Sequence, residues 1–460
     1  MEIKLVSSSG KRTQTDLLVI GCFEKGAFAK EWTALAPAFF SKVKSALDKK
    51  RFEGKAGQTF YAYQEAGQEA QEILLIGLGD KKKYTAAGLR KAAGEIIRQA
   101  RMRRCGSVRV LLDSFAAGEV PVLRAVKILA AYTRLAAYDF DKYKTKKDDE
   151  KSEKKPTAVE LLRFGKSKDK DLQNQLEHGN AVAEGVAFAR DLINEPGNVM
   201  NAVKAAELAR ELAAKKKLSC EVLEKKQLEA LKMGGILSVN QGSVTPPRMV
   251  ILEYGARFKS KGTICLVGKG VTFDTGGICI KPAKDMEKMK HDMSGAAAVI
   301  AVMGVVSDFK LPLHVVALAP LVENNVAEDP QRPGDIIRMY NGKSVEVINT
   351  DAEGRLILGD ALAYAEKYKP KVIIDIATLT GMCAYTFGDK AIGLLGNNEA
   401  LLNRIKKAGE ETGERCWELP LWDEYFEQIR GHHSDLLNTG GPHGGTITEI
   451  GRDTSELQSH

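Results

Sequence analysis

Short apolar runs recur along the chain with helix-length stretches between them, and this alternation limits the fold more than any other feature. Leu17-Leu-Val-Ile20, Glu72-Ile-Leu-Leu-Ile-Gly-Leu-Gly79 and Arg109-Val-Leu-Leu112 read as strands. Ala86–Arg103 reads as a helix between two of them, so the first half is α/β. The second half repeats the pattern. Met249–Leu252, Thr263–Val267, Val315–Ala319 and Val372–Ile376 predict strands, with helices at Gly295–Val306 and Gly359–Lys367. No internal repeat accompanies the alternation.

Between the halves, Lys142-Tyr-Lys-Thr-Lys-Lys-Asp-Asp-Glu-Lys-Ser-Glu-Lys-Lys-Pro156 is almost all charge and can bury nothing. It is a linker or an exposed hairpin within the first domain, whose sheet resumes at Val159-Glu-Leu-Leu162. The boundary is placed just after that strand, giving an N-terminal α/β domain over 1–165 and a second domain over 166–460. A chain of 460 residues with 44% hydrophobic content is long enough for two cores.

Chemistry concentrates in two clusters. Asn349-Thr-Asp351-Ala-Glu353-Gly-Arg355-Leu356 sets two carboxylates one residue apart, with a guanidinium two further on. If the stretch is extended, its period of two sends all three side chains to one side. Carboxylates this close repel unless a cation lies between them, and metal ions are the usual answer. Arg355 has no free lone pair, so it holds an anion or polarises a substrate oxygen instead. Upstream, Ile264-Cys-Leu-Val267 reads as a buried strand entering a glycine-rich loop that carries Lys269, Asp274 and Lys281, with Asp292 following. Asp274, Asp292, Asp351 and Glu353 together balance two divalent cations, the count of a two-metal hydrolytic site. No histidine recurs at ligand spacing. A lone D-x-E-x-R is most often a solvated turn; the second cluster is what argues otherwise. Glu323, Glu328 and Asp375 read as capping or surface groups.

Both clusters resemble the signature of the leucine aminopeptidase (cytosol aminopeptidase) family, whose hallmark is NTDAEGRL. Ala189-Arg-Asp-Leu-Ile-Asn-Glu-Pro196-Gly-Asn198, Met233-Gly-Gly-Ile-Leu-Ser-Val-Asn-Gln-Gly-Ser243, Arg332-Pro-Gly-Asp-Ile336, Asn341-Gly-Lys-Ser-Val-Glu-Val347 and Ala377-Thr-Leu-Thr-Gly381 also match, in order, over roughly 185–448. The resemblance implies a macro-like N-terminal domain and a catalytic domain with a mixed central sheet flanked by helices. It implies a metalloaminopeptidase that removes the N-terminal residue of peptides, and usually a homo-hexamer.

By that resemblance, Asp274, Asp351 and Glu353 hold one metal, with the Asp351 backbone carbonyl as an extra ligand. Lys269, Asp274, Asp292 and Glu353 hold the other. A lysine ligand must be neutral, which nearby cations enforce by depressing its pKa. The pair would activate a shared water and bind the substrate's free α-amine. Lys281 would stabilise the oxyanion. Arg355 would hold bicarbonate as the proton relay. Met289, Asn349, Ala352, Thr378, Leu379 and Gly381 would line the first-residue pocket, with leucine or another apolar residue preferred; ordinary core is the competing reading of Met289 and Leu379. Oxygen ligands suit manganese and magnesium, while the family commonly carries zinc.

Seven scattered cysteines form no C-x-x-C, so a disulfide framework or zinc ribbon is not expected. The N-terminus lacks the apolar core of a signal peptide, and no apolar stretch reads as long enough to cross a bilayer; cytoplasm is expected. Residues 1–160 hold 31 Lys and Arg against 20 Asp and Glu, a balance of +11, whereas the remainder carries −3. That excess permits nucleic-acid binding, although solvated lysine faces are its commoner cause and no helix-turn-helix or zinc finger supports it. The tail Glu449–His460 is polar, where the family continues with an apolar helix, so the catalytic domain reads as shortened. A non-catalytic family member that acts as a binding or nucleic-acid-associated protein is therefore the alternative reading.

Overall fold

The computed structural model describes residues 1–7, 14–26, 48–63, 70–145, 155–164, 170–440 and 447. Most of the charged run and the whole Glu449–His460 tail lie outside the described residues. The chain divides into two compact units, Met1–Ala187 and Phe188–His460.

The first unit is built on a six-stranded sheet. Its strands are β1 (Glu2–Ser7), β2 (Thr15–Phe23), β3 (Thr59–Tyr63), β4 (Ala70–Gly79), β5 (Ser107–Leu111) and β6 (Ala158–Arg163), in the order β1-β6-β5-β2-β4-β3. Every pairing is parallel except that of β3 with β4. Successive side chains point to opposite faces of a strand, and both faces here are apolar. Leu17 and Val19 of β2 join Leu74 and Ile76 of β4 in one cluster, while Leu18, Ile20, Ile73 and Leu75 form the other. A sheet covered on both sides reads as continuous hydrophobic runs, which is why its strands stand out in the sequence. Helices α1 (Ala86–Met102) and α2 (Val122–Ala136) fill the first cluster with Leu89, Ile96, Ile97, Val126 and Leu129. Each such side chain contributes about 1.5 to 3 kcal/mol on burial.

α3 (Lys170–Asn194) begins in the first unit and ends in the second, where α4 (Ala202–Lys216) is followed by β7 (Ser219–Glu224), β8 (Arg248–Tyr254), β9 (Thr263–Gly268), β10 (Gly270–Asp274) and β11 (His314–Asn324). With β14 (Pro370–Ile376) they make a mixed sheet in the order β14-β9-β11-β8-β7, with β10 alongside β11. β9, β10 and β14 run parallel to their neighbours, whereas β8 is antiparallel to β11 and β7. All eleven residues of β11 are buried. Val316, Leu318 and Val322 face one apolar cluster; Val315, Ala317, Ala319 and Leu321 face the other. Alanines of α4 and α5 (Ser294–Asp308) cover the second face closely, and α6 (Gly354–Ala365) covers the first. β12 (Ile336–Arg338), β13 (Ser344–Glu346) and β17 (Leu436–Leu437) form a small sheet beside it, and β15 (Ile392–Leu394) pairs with β16 (Cys416–Glu418).

Two expectations need correction. α6 begins at Gly354, five residues earlier than the sequence pattern suggests, because all twelve of its residues are buried and no polar face marks its start. Met286–Asp308, 23 residues long, holds an 18-residue window with a mean hydropathy of 1.2 and so does reach membrane-crossing length and composition. It is two elements, a 3-10 turn over Met286–His291 and then α5, with Asp292 between them. More than half of its apolar window is buried inside the unit, as suits a core helix.

Candidate active site

The candidate site gathers at the carboxyl ends of the parallel strands, the position where open α/β sheets hold their ligands. β9 delivers Lys269, β10 ends on Asp274, β11 ends on Asn324, and Thr378 lies two residues past β14. The Asn349–Glu353 stretch arrives at the same place from β13. It is not extended: Thr350 and Asp351 form a turn that runs directly into α6, with Glu353 at the helix cap. Asp351 and Glu353 therefore converge through the turn rather than through strand alternation. Arg355 belongs to the first turn of the helix.

Lys269 is 3% exposed, and its Nζ lies 2.8 Å from both Asp292 Oδ2 and Glu353 Oε1. It also donates to the Thr378 carbonyl at 3.0 Å. Lys281 Nζ lies 2.8 Å from Asp274 Oδ2 and pairs with Asp351 as well. Thr378 Oγ1 donates to Asp292 Oδ1 at 2.7 Å. Lys269, Asp274, Lys281, Asp292, Asp351, Glu353 and Thr378 thus form one connected constellation. Carboxylate oxygens of Asp274, Asp351 and Glu353 lie within 4.8 Å of one another. That is about the span across one cation with metal–oxygen distances of roughly 2.0 to 2.6 Å.

The electrostatics favour a cation. Burial pushes Glu353 up to about 8, with Lys269 opposing and the charges of Asp274 and Asp292 adding to the push. Burial likewise raises Asp292 to about 6, and it raises Asp351 despite the hydrogen bond from Lys281. Burial works against the Lys269 ammonium, yet the pull of Asp292, Glu353 and Asp274 outweighs it and holds its pKa above the usual lysine range. Lys281 is held up in the same way by Asp274 and Asp351. Two ammonium groups against four crowded carboxylates leave an excess of negative charge, which a divalent cation would neutralise. The donor set fits hard or borderline divalent metals.

Local structure makes the crowding feasible. Gly276 has φ +87°, and a Cβ there would lie 2.9 Å from Asp351 Oδ1. Its N–H donates to Asp274 Oδ1 at 2.9 Å. Thr350 Oγ1 donates to the Gly276 carbonyl at 2.6 Å and accepts from the Cys279 N–H at 2.8 Å, stitching loop to turn. Asn349 Oδ1 accepts from the Asp351 N–H at 2.9 Å, and Ala352 is buried. Met289 sits half-buried on the 3-10 turn before Asp292. Leu379 packs against the cluster that α6 fills, whereas Gly381 is exposed. Arg355 is 2% exposed and lines a small cavity with Leu356, Ile429, Leu436 and Asn438.

Two asparagines that the sequence reading passed over are part of this architecture. Asn324 Nδ2 donates to Asp274 Oδ1 at 2.8 Å and to the Thr350 carbonyl at 3.0 Å. Asn438 Oδ1 accepts from the N–H groups of Ile348 and Asn349 at 2.7 and 3.2 Å, and its Nδ2 donates to the Asn349 carbonyl at 2.7 Å. Asparagine is common in turns for purely local reasons, and these partners lie up to 90 residues away.

Residues 187–450 match the catalytic domain of the cytosol aminopeptidase family, and residues 19–147 match the family's N-terminal domain. The chain belongs to the cytosol aminopeptidase family. A probable cytosol aminopeptidase of Syntrophotalea carbinolica is 41% identical over 441 residues, covering 95% of this chain and 87% of its own. A counterpart from Geobacter sp. is 38% identical over 450 residues, covering 97% and 89%. Among solved structures, the bottromycin maturation enzyme BotP in complex with Mn superposes with a TM-score of 0.83 at 29% identity, covering 97% of this chain and 90% of that one. The protein is a metal-dependent aminopeptidase with the two-domain α/β architecture of its family.

Proposed function

We propose that this cytosol aminopeptidase family member removes an N-terminal leucine or other apolar residue from peptides with a free N-terminus, using two divalent cations. The observation that carries the reading is the convergence of Asp274, Asp351 and Glu353 within 4.8 Å, with Lys269 and Asp292 next to them. Asp274, Asp351 and Glu353 would hold one cation, with the Asp351 carbonyl as an added donor. Lys269, Asp274, Asp292 and Glu353 would hold the second, as zinc or manganese, with magnesium a third candidate. When bound, such ions activate water near neutral pH and offset charge on a polarised carbonyl.

The chain's own groups supply the rest. Lys269 would join as a neutral amine, giving up the proton that now binds it to Asp292 and Glu353. Thr378 fixes Asp292 from behind through its hydroxyl. Asp351, at 30% side-chain exposure, is the carboxylate that meets solvent, so an incoming α-ammonium finds negative charge there. Lys281, at 22%, also reaches the open side and would face the oxygen on which negative charge develops. Arg355 would hold a bicarbonate that carries the proton, in keeping with the absence of histidine from the described constellation. Met289, Asn349, Ala352, Thr378, Leu379 and Gly381 would border the first residue of the substrate.

The cytoplasm and a homo-hexamer complete the proposal. The names of the relatives support the first and the family resemblance the second. Nucleic-acid binding is not favoured: Arg101, Arg103 and Arg109 of the basic unit are engaged with Asp139, Glu72 and Glu160.

Hydrolysis of a leucine anilide by metal-stripped protein, before and after manganese or zinc is added, tests the reading. Activity restored by metal and absent in Asp351→Ala is expected. A folded, metal-loaded protein with no turnover would overturn it.

A further inference from the structure

Asn324 is a neutral side chain that joins both halves of the candidate metal site. Its Cα pairs with that of Asp274 where β10 meets β11. Its backbone carbonyl accepts from the Thr275 N–H at 2.9 Å and from Thr275 Oγ1 at 2.8 Å, so it holds the loop after Asp274. Its side chain reaches across to the other half. Nδ2 donates to Asp274 Oδ1 at 2.8 Å, to the Thr350 carbonyl at 3.0 Å and toward Glu353 Oε2 at 3.5 Å. The residue is 2% exposed.

All three atoms facing this end of the carboxamide are acceptors, so the NH2 group has to point there. A neutral donor in this place does what a cation or a carboxylate could not. It satisfies one lone pair on Asp274 and one on the Thr350 carbonyl without competing for metal, and lies within 3.5 Å of Glu353 Oε2.

We propose that Asn324 is a positioning residue, whose carboxamide donor orients Asp274 for metal and locks the Asp274 loop to the Thr350–Glu353 turn. This rests on the metalloaminopeptidase reading. Partners one step behind metal ligands are typically worth about 10- to 100-fold in affinity or activity.

The test uses three variants of the full chain. Asn324→Asp keeps the shape and removes the donor, Asn324→Ala removes the group without adding charge, and Asn325→Ala is the neighbouring control. Mn2+ affinity is measured by calorimetric titration of metal-stripped protein, with kcat and KM on a leucine anilide alongside. Both Asn324 variants are expected to bind Mn2+ roughly 10- to 100-fold more weakly and to lose kcat more than KM. Asn325→Ala should stay within about twofold, since its amide reaches only Glu323 in the described contacts. Asn324→Asp matching the wild type in Mn2+ affinity and kcat would overturn the inference. So would failure of both variants to fold without metal, because the residue would then serve the fold rather than the site. A wild type that neither binds Mn2+ nor cleaves the anilide removes the functional reading and this inference together. A competent wild type with unaffected variants removes only the inference.

Discussion

Lys269 spans Asp292 and Glu353 while Lys281 spans Asp274 and Asp351, so each ammonium sits between two carboxylates. At this scale tolerance is small. A Cβ on Gly354 would lie 2.6 Å from Lys269 Cε and 2.8 Å from its Nζ. Ordinarily glycine to alanine at the start of a helix gains up to about 1 kcal/mol of propensity. Here the clash decides, because Lys269 is buried and held by three partners and cannot move aside. Gly354→Ala is expected to lower kcat at least about tenfold, the effect of misplacing a catalytic group by a fraction of an ångström, with circular dichroism unchanged. Wild-type turnover in that variant would mean that Lys269 has room and that its placement does not matter.

Among the elements, eight strands of the two main sheets were legible, the inner ones because they are covered on both faces and leave long apolar runs. β1, β3, β7 and β10 were not read from the sequence. β4 and β11 are the clearest cases. Two carboxylates one residue apart were equally visible. What brings them together was not, since the turn at Thr350 depends on Gly276, Asn324 and Asn438, which are remote in the chain. α6 hid its start for a related reason, as a helix buried all round offers no polar face. Its buried Asp360 shows what sequence alone could not place. Asp360 accepts from the Ile236 and Tyr340 N–H groups, and burial pushes it up to about 7. A carboxyl raised in the fold favours the protonated native state, so its stabilising contribution is present below the ordinary carboxylate pKa and is lost as pH rises through about 7. Melting temperatures of wild type and Asp360→Asn, compared from about pH 5 to about pH 8.5, should show the wild-type advantage shrinking toward high pH. A gap that widens instead would contradict this.

For the whole molecule, two units with separate cores divide the labour. Every residue in the candidate site comes from the second, while the basic balance belongs to the first. The family was readable from ordered motifs spread over the second half, because many short matches in sequence order are far more specific than one. The first-residue preference was not, as Met289, Leu379 and Gly381 show, among the described residues, no side-chain hydrogen bond that would select a substrate side chain. As proposed, this carboxylate cluster is a two-cation centre on which turnover depends. Counting Mn2+ per chain by equilibrium dialysis while following anilide hydrolysis tests it most directly. Full activity is expected to coincide with two ions per chain, and Glu353→Ala, which removes one of the two carboxylates proposed to serve both cations, is expected to lose ions and activity together. Full activity with no bound ion, or an unchanged ion count in Glu353→Ala, would contradict it.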